Sequence, residues 1–316
     1  MSELRKNEKN LLVVETGDLL FKKYSAPIPE RGLKAAAQKA FLIIDSFNLM
    51  GYDAMGIGDG DLSLGKEFLL KISKRAKFPI ISSNVFDEGS EKPLFQTSVV
   101  KEISGLRIGI FSLLSPDVFL GPPDPRRKEL IIRSPVETAR DMVNELGPKT
   151  DLVMVLSHLG YPKDVELAQT VPGIHIIVGS HTGVNLTNPP VIKNTLIVQN
   201  ASKGMYGTRI DFTLLDNKAG SYNTSIKRSM ERNLKSYQRQ LAQGNVSEAK
   251  KDQWRRAKES VEQALQQLEG KNYFTYAYTP LSEGIKDHPE IKQMIEAYKL
   301  KFKIEEEPSP APLGKH

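Results

Sequence analysis

The feature that most constrains the fold is an alternation of short apolar runs with amphipathic helical patterns over residues 11–223. This β-α-β-α order predicts an α/β fold in which helices cover the faces of a sheet. The run at 208–215 alternates apolar and polar residues, which favours an antiparallel or edge strand. The predicted strands cover 11–15, 78–82, 106–114, 151–157, 174–180, 195–200 and 208–215, and the predicted helices cover 31–48, 65–76, 135–146 and 163–170.

After about residue 223 the pattern becomes helical. Apolar residues recur at spacings of three and four on two successive segments, which predicts a basic, antiparallel helical hairpin over 224–271. Its apolar stripes could pack within the chain or against a second copy, so self-association through the hairpin is one of two alternatives. A short helical extension is predicted over 272–304, with its helix at 287–302. The acidic, proline-rich segment 305–316 predicts a disordered tail.

Composition excludes several classes of protein. The sequence contains no cysteine, so it has neither disulfides nor thiolate metal ligands. No run approaches the roughly 18 apolar residues of a membrane span, and the N-terminus lacks a secretion signal, so the chain as written is expected to be cytoplasmic. The net charge is +6, but residues 224–271 hold eleven Lys/Arg against six Asp/Glu. This basicity indicates a solvated helix face or an anionic surface partner, and no specific nucleic-acid ligand is expected.

Polar side chains follow the ends of several predicted strands. Asp18 and Asp59 each lie in a Gly-Asp sequence after an apolar run, and His158 and His181 directly follow two further strands. In α/β sheets, ligands collect where strands end. Carboxylates and imidazoles on separate strands can converge on one Mn, Fe, Zn or Mg ion. The sequence therefore predicts a metal site built from these side chains.

The order of these motifs resembles the calcineurin-like metallophosphoesterases, in their 5′-nucleotidase branch. The resemblance covers roughly residues 4–215 and implies a four-layer α/β/β/α sandwich around a two-metal site that clamps a phosphate. With the hairpin, the expected fold is this sandwich over 1–223 followed by helices. The matching stretches are VVETGDLLF (13–21), MGYDAMGIGDGDLSLG (50–65), FPIISSNV (78–85), DLVMVLSHLG (151–160), IHIIVGSHTG (174–183) and IVQNASKGMYGTRIDFTL (197–214).

The resemblance also implies roles for the candidate ligands. Asp18 matches the carboxylate that bridges the two metals. Asp59 stands where the family has an asparagine ligand of the second metal, and His158 and His181 match the imidazoles of that metal. These residues imply one divalent cation in this chain, either Mn, Zn, Fe or Mg.

Other positions depart from the family pattern. Gly60 stands where the family has its catalytic histidine, so no catalytic residue is assigned, and Asp61 stands for the glutamate beside it. Gly183 replaces a histidine or glutamine ligand, and no Asp-x-His motif precedes residue 11. Two interpretations stay open. A chain that begins late would be expected in the periplasm or cell envelope, whereas a complete chain would be a degenerate domain with one metal.

Three functional hypotheses follow. The first is a metal-dependent phosphoester hydrolase of altered or reduced activity, acting on a small phosphorylated molecule. The alternative is a catalytically inactive family member that binds a metal or an anion at a mononuclear site. The third is a scaffold that pairs through the helical hairpin. A P-loop NTPase is not expected, because the sequence has no GxxxxGK[ST] motif.

Overall fold

The structure is a computed structural model that describes residues 1–22, 25–119, 124–200, 204–218, 220–244, 246–282 and 284–303. Within these ranges the helices are α1 (Ser2–Asn7), α2 (Glu30–Met50), α3 (Gly65–Ser73), α4 (Pro135–Leu146), α5 (Tyr161–Thr170), α6 (Thr224–Leu241), α7 (Glu248–Gln266) and α8 (Pro289–Phe302). The strands are β1 (Val14–Glu15), β2 (Ala54–Met55), β3 (Val85–Asp87), β4 (Ser98–Ile103), β5 (Leu106–Leu114), β6 (Leu130–Ile132), β7 (Leu152–His158), β8 (Ile176–Gly179), β9 (Val191–Ile192), β10 (Thr195–Gln199), β11 (Tyr206–Thr213), β12 (Ser221–Asn223) and β13 (Asn272–Pro280). The predicted tail at 305–316 lies outside the described residues.

The largest sheet has six strands in the order β4-β5-β7-β8-β10-β9. Its four central strands, β5, β7, β8 and β10, run parallel, and β4 and β9 add antiparallel edges. All seven residues of β7 are buried, as expected of a parallel strand covered on both faces. Because the central strands are parallel, the loops that follow them meet at one edge of the sheet.

Side-chain alternation along the central strands separates two cores. On one face, Phe111, Val155 and Ile177 pack with residues of α4 and α5. On the other face, Ile110 and Met154 pack in a second core, which residues outside the large sheet complete. These residues are Val14 of β1, Ala54 of β2, Ile81, Ile210 of β11 and Phe274 of β13. The large sheet is therefore a middle layer, with helices on one side and β-structure on the other.

A third core lies beneath α2 and α3. Ile44 of α2 and Leu69 of α3 pack against Met55 of β2, and all three side chains are fully buried. The parallel pair β1-β2 is extended by an isolated bridge from Met55 to Ile80. Of the predicted strand at 78–82, only this bridge and a second one from Ile81 to Gln96 form. Three cores thus separate four layers, and the predicted α/β/β/α sandwich is confirmed.

The C-terminal region contains a strand that the sequence analysis did not predict. Strand β13 lies between β11 and β12, antiparallel to the first and parallel to the second. The α6 and α7 helices, predicted at 224–271, therefore leave this small sheet after β12 and return to it at β13. The segment 272–304 is consequently not only helical, because among its described residues Asn272–Pro280 is a strand and Pro289–Phe302 is a helix. No described helix is both long enough and apolar enough to cross a membrane.

Candidate metal centre

The four predicted ligands lie at one edge of the sandwich, each at or just after a strand end. Asp18 follows β1, Asp59 follows β2, His158 is the last residue of β7 and His181 follows β8. One ligand atom of each side chain lies within 4.8 Å of the others. Residues separated by up to 163 positions in sequence thus meet because the strands that precede them are neighbours in the two sheets.

The closest contacts join His158 to both carboxylates. Its Nε2 atom lies 3.2 Å from Oδ1 of Asp59 and 3.4 Å from Oδ2 of Asp18. The Nδ1 atom of His181 lies 3.7 Å from the same oxygen of Asp59, and the two imidazole rings are 5.1 Å apart. Two carboxylates and two imidazoles suit Mn, Fe or Zn. The donor set and its spacing therefore fit a divalent cation.

Electrostatics also indicate a site that requires positive charge. Burial by itself would lower the pKa of His158, but hydrogen bonds and charge attraction from Asp18 and Asp59 outweigh burial and raise that pKa to about 10. Burial would raise the pKa of Asp18, yet the contact with His158 leaves it below its ordinary value. Two carboxylates thus hold a proton on a fully buried imidazole. A divalent cation would supply the same compensation with more charge.

The orientation of His158 is set by Ser180. The hydroxyl of Ser180 lies 2.9 Å from Nδ1 of His158 and donates to the carbonyl of Ser157 at 2.9 Å. The carbonyl of Thr16 lies 3.3 Å from both Nδ1 and this hydroxyl. With the hydroxyl donating to a carbonyl, its oxygen and the Thr16 carbonyl can both accept from an Nδ1–H group. When a metal displaces the proton that the carboxylates hold on Nε2, that arrangement leaves the lone pair of Nε2 facing the metal position. The sequence analysis did not identify Ser180, which has no motif of its own.

Asp61 organises the loops and does not join the ligand group. Its two carboxylate oxygens accept backbone N–H bonds from Asp18, Leu19, Leu20 and Gly58, at 2.9 to 3.0 Å. Burial raises its pKa to about 6, as does the charge of Asp18, while these N–H bonds oppose the rise. Asp61 therefore ties the loop after β1 to the loop after β2. It fixes the relative positions of Asp18 and Asp59.

Glycines allow the two loops to approach each other. A Cβ at Gly17, whose φ is +96°, would lie 2.1 Å from the backbone nitrogen of Gly58. A Cβ at Gly58 would lie 2.3 Å from Oδ1 of Asp18. The ligands themselves have unusual backbone conformations, with φ of 60° at Asp18 and 75° at His181. Positive φ is uncommon outside glycine and clusters at functional sites.

Two further side chains near the site serve different purposes. Arg126 is almost fully buried and its guanidinium pairs with Asp59 and Asp124. The sequence analysis missed Arg126, because a doubled arginine in a proline-rich segment carries no recognisable signal. Asn84 is also buried, but its amide bonds to the backbone of Leu114 and Arg133, so its described contacts are structural. Gly183 follows His181 by two residues and has a φ of 65°.

Comparisons with known proteins agree with this fold. No family model matches the sequence. The chain is 27% identical to the 5′-nucleotidase of Vibrio cholerae, over 76% of this chain and 48% of that protein, so it spans about half the length of that relative. The solved 5′-nucleotidase precursor of Thermus thermophilus is 24% identical, with a TM-score of 0.65 over 96% of this chain and 52% of that one.

A calcineurin-like phosphoesterase of Bacillus subtilis, YfkN, has the same fold, with 17% identity and a TM-score of 0.62 over 95% of this chain and 86% of that one. At these identities the two solved structures establish the fold alone. The sequence relative and the order of the site motifs both support the 5′-nucleotidase branch. The chain is thus similar in sequence to 5′-nucleotidases and in fold to calcineurin-like phosphoesterases, which supports the superfamily and the branch that its site motifs resemble.

Proposed function

We propose that this protein is a metal-dependent phosphoester hydrolase of the 5′-nucleotidase-like family with altered or reduced activity. The observation that carries the proposal is the convergence of Asp18, Asp59, His158 and His181 within 4.8 Å. These residues would hold one divalent cation. Bound there, such a cation would polarise a phosphoryl oxygen and make a nearby water more acidic. The proposed substrate is a small phosphorylated molecule.

The four candidate ligands differ in exposure, and this difference indicates separate roles for them. The side chains of His158 and Asp59 are 0% and 10% exposed, whereas those of Asp18 and His181 are 34% and 31% exposed. Substrate would therefore approach from the side of Asp18 and His181. The buried His158 would lie at the bottom of the site, away from water. Ser180 and Asp61 would hold His158 and Asp18 in place, since fixed ligands require no reorganisation during the reaction.

A second candidate is a catalytically inactive module that binds a metal and an anion. Gly60 favours it, because this position offers only a backbone N–H, which already donates to Asp18 at 2.6 Å. With no side chain, Gly60 has no proton to give to a leaving group. Losing one such preorganised donor commonly costs about 10²–10³ in rate. The family relationship is compatible with either candidate.

The experiment that tests the proposal measures hydrolysis of an aryl phosphate and of a nucleoside monophosphate by protein loaded with Mn²⁺ or Zn²⁺. The His158→Ala variant provides the inactive reference, and His288→Ala, at the start of α8, is the matched control. Turnover above His158→Ala in the native protein and in His288→Ala supports a hydrolase. Saturable binding of metal and phosphate by calorimetry, without turnover above His158→Ala, would favour the binding module.

Self-association through α6 and α7 is a separate proposal. Met230, Leu234 and Tyr237 are half-buried on the face of α6 that carries its apolar stripe, and Trp254 of α7 is half-buried as well. Residual exposure on both helices is what would allow a second copy to pack there. Sedimentation equilibrium at increasing protein concentration tests this. A dimer that Trp254→Ala dissociates would support the proposal, and a monomer at all concentrations would reject it.

A further inference from the structure

The two oxygens of Asp59 have different partners. Oδ1 faces the candidate metal position, 3.2 Å from Nε2 of His158 and 3.7 Å from Nδ1 of His181. Oδ2 accepts a hydrogen bond from Nη1 of Arg126. The side chain of Arg126 is 2% exposed and that of Asp59 is 10% exposed. The ion pair therefore lies inside the protein, where its interaction is much stronger than at a surface.

Asp124 fixes the direction of the guanidinium. Its carboxylate accepts from Nε of Arg126 at 3.0 Å and from Nη2 at 2.7 Å, a fork that sets the plane of the group. The same carboxylate accepts the backbone N–H of Arg126 at 3.0 Å, at the start of the 3₁₀ turn Pro125–Arg127. The ring of Phe119 lies 5.3 Å from the guanidinium carbon. Once these contacts are made, Nη1 is aimed at Asp59.

This arrangement changes what Asp59 can offer a cation. A free carboxylate can bind a cation through either or both oxygens and contributes a full negative charge. With Oδ2 held by Arg126, Asp59 has one oxygen facing the site, and its charge is balanced by a cation that is part of the protein. In these respects Asp59 with Arg126 resembles an asparagine, the residue that the family resemblance implies at this position.

We propose that Arg126 is a positioning residue that restricts Asp59 to one metal-facing oxygen and balances its charge, and thereby sets the metal affinity of the site. This inference rests on the proposed function, because it requires that the four ligands bind a cation. Arg126 acts through Asp59 and is too deeply buried to contact a substrate. Removing its charge frees Oδ2 and removes a repulsion. A divalent cation should then bind more tightly, by roughly tenfold or more.

The test is calorimetric titration of the metal-free protein with Mn²⁺. The Arg126→Met variant should bind Mn²⁺ roughly tenfold more tightly than the native protein, with one ion per chain in both. Arg127→Met is the matched control, because it removes the same charge from the exposed neighbour in the same turn, and its affinity should stay close to the native value. Arg126→Lys keeps the charge without the fork and should fall between the native protein and Arg126→Met.

Removing Arg126 alone takes a charged partner away from the buried Asp124, which can destabilise the fold. The double variant Asp124→Asn/Arg126→Met removes both charges of that pair and should show the same increase in affinity. A cycle with Asp59→Asn completes the design, because coupling between Asp59 and Arg126 isolates their interaction. The effect of Arg126→Met should be clearly smaller when residue 59 is asparagine.

The outcomes separate the two proposals. If the native protein and Asp59→Asn both fail to bind Mn²⁺, the metal site itself is wrong. If the native protein binds Mn²⁺ but Arg126→Met matches Arg127→Met, the inference about Arg126 is overturned and the metal site stands. Binding that Arg126→Met weakens equally in the native background and in the Asp59→Asn background would also overturn it, since that result indicates a role in folding alone.

Discussion

The Oδ1 atom of Asp18 accepts a hydrogen bond of 2.6 Å from the backbone N–H of Gly60. A carboxylate can approach the backbone this closely because residue 60 has no side chain, and a Cβ there would lie 2.7 Å from the same oxygen. Gly60, which the family resemblance places where a histidine is expected, is thus also the residue against which Asp18 rests. Its replacement should affect metal binding before it affects the fold.

We predict that Gly60→Ala weakens Mn²⁺ binding by about tenfold, because the new methyl group displaces the Asp18 carboxylate from its position in the ligand group. Calorimetric titration measures the change. Gly147→Ala is the control, since a Cβ at that position meets no atom within 4 Å. Equal Mn²⁺ affinities in the two variants would show that the position of Asp18 does not depend on Gly60.

Asp61→Asn should destabilise the fold. An amide presents an NH₂ group where one oxygen of Asp61 now accepts two backbone N–H bonds, so donors would face donors in a fully buried position. Each unsatisfied buried group costs about 1–3 kcal/mol, and we expect the free energy of unfolding to fall by about 2–4 kcal/mol. Urea denaturation measures it.

The control for this change is Asp45→Asn, which breaks a more exposed ion pair with Arg75. Such pairs contribute roughly 0–1 kcal/mol. If Asp61→Asn lowers the free energy of unfolding no more than Asp45→Asn does, the loop does not depend on the Asp61 carboxylate.

Ser180→Ala should weaken metal binding without abolishing it. The hydroxyl orients His158, and loss of such an outer partner typically costs about 10–100-fold in metal affinity. Ser73→Ala provides the comparison, because that hydroxyl bonds only within α3 in the described structure, to the carbonyl of Leu70 at 2.9 Å. Unchanged Mn²⁺ affinity in Ser180→Ala would mean that other contacts suffice to orient the imidazole.

Asp164 should make stability depend on pH. It is fully buried behind His158, its Oδ1 accepts from the hydroxyl of Ser157, and no partner for Oδ2 is described. Burial raises its pKa from 3.8 to about 7, despite the opposing effects of Ser157 and of the charge on His158. Because the folded pKa of Asp164 lies above the unfolded value, protonation of this carboxyl favours the folded state. That contribution to stability is complete below pH 3.8 and is lost as pH rises through about 7.

Asp164→Asn removes this titration. Relative to the native protein, its free energy of unfolding should increase by about 2–4 kcal/mol as pH rises from about 4 to 8. Asp151→Asn is the contrasting variant, since hydrogen bonds from Arg107 hold the pKa of Asp151 below its ordinary value, which gives the opposite sign. Urea denaturation across pH measures both, and a difference for Asp164→Asn that stays constant with pH would contradict the prediction.

The predictability of the fold differed between its parts. The helix predicted at 135–146 coincides with α4, whose Ser134 hydroxyl caps the helix and whose Pro135 begins it. The strand β13 was missed although Asn272–Pro280 is rich in tyrosine and threonine, because it follows a long helical pattern and pairs with β11, some 60 residues earlier. Pairing over such distances leaves no local signal.

The candidate site could likewise be predicted from the sequence only in part. The positions of Asp18, Asp59, His158 and His181 followed from strand ends and from motif order, since residues after parallel strands must gather at one edge of a sheet. The contact of Arg126 with Asp59 joins residues 67 positions apart, and no spacing rule predicts it.

The sequence by itself determined the alternation of strands and helices and the candidate ligands, because periodicity and strand-end chemistry are local properties of the chain, and the four layers were expected from the resemblance of its motifs to a family. Only the tertiary structure decided that Asp61 joins two loops, that Ser180 orients His158 and that a buried arginine holds one oxygen of Asp59. Those relationships depend on side chains that are distant in sequence and meet in a low-dielectric interior, where each unpaired polar group is costly. Packing in the folded protein therefore decides which partner each of these side chains has, and the spacing of residues along the sequence does not.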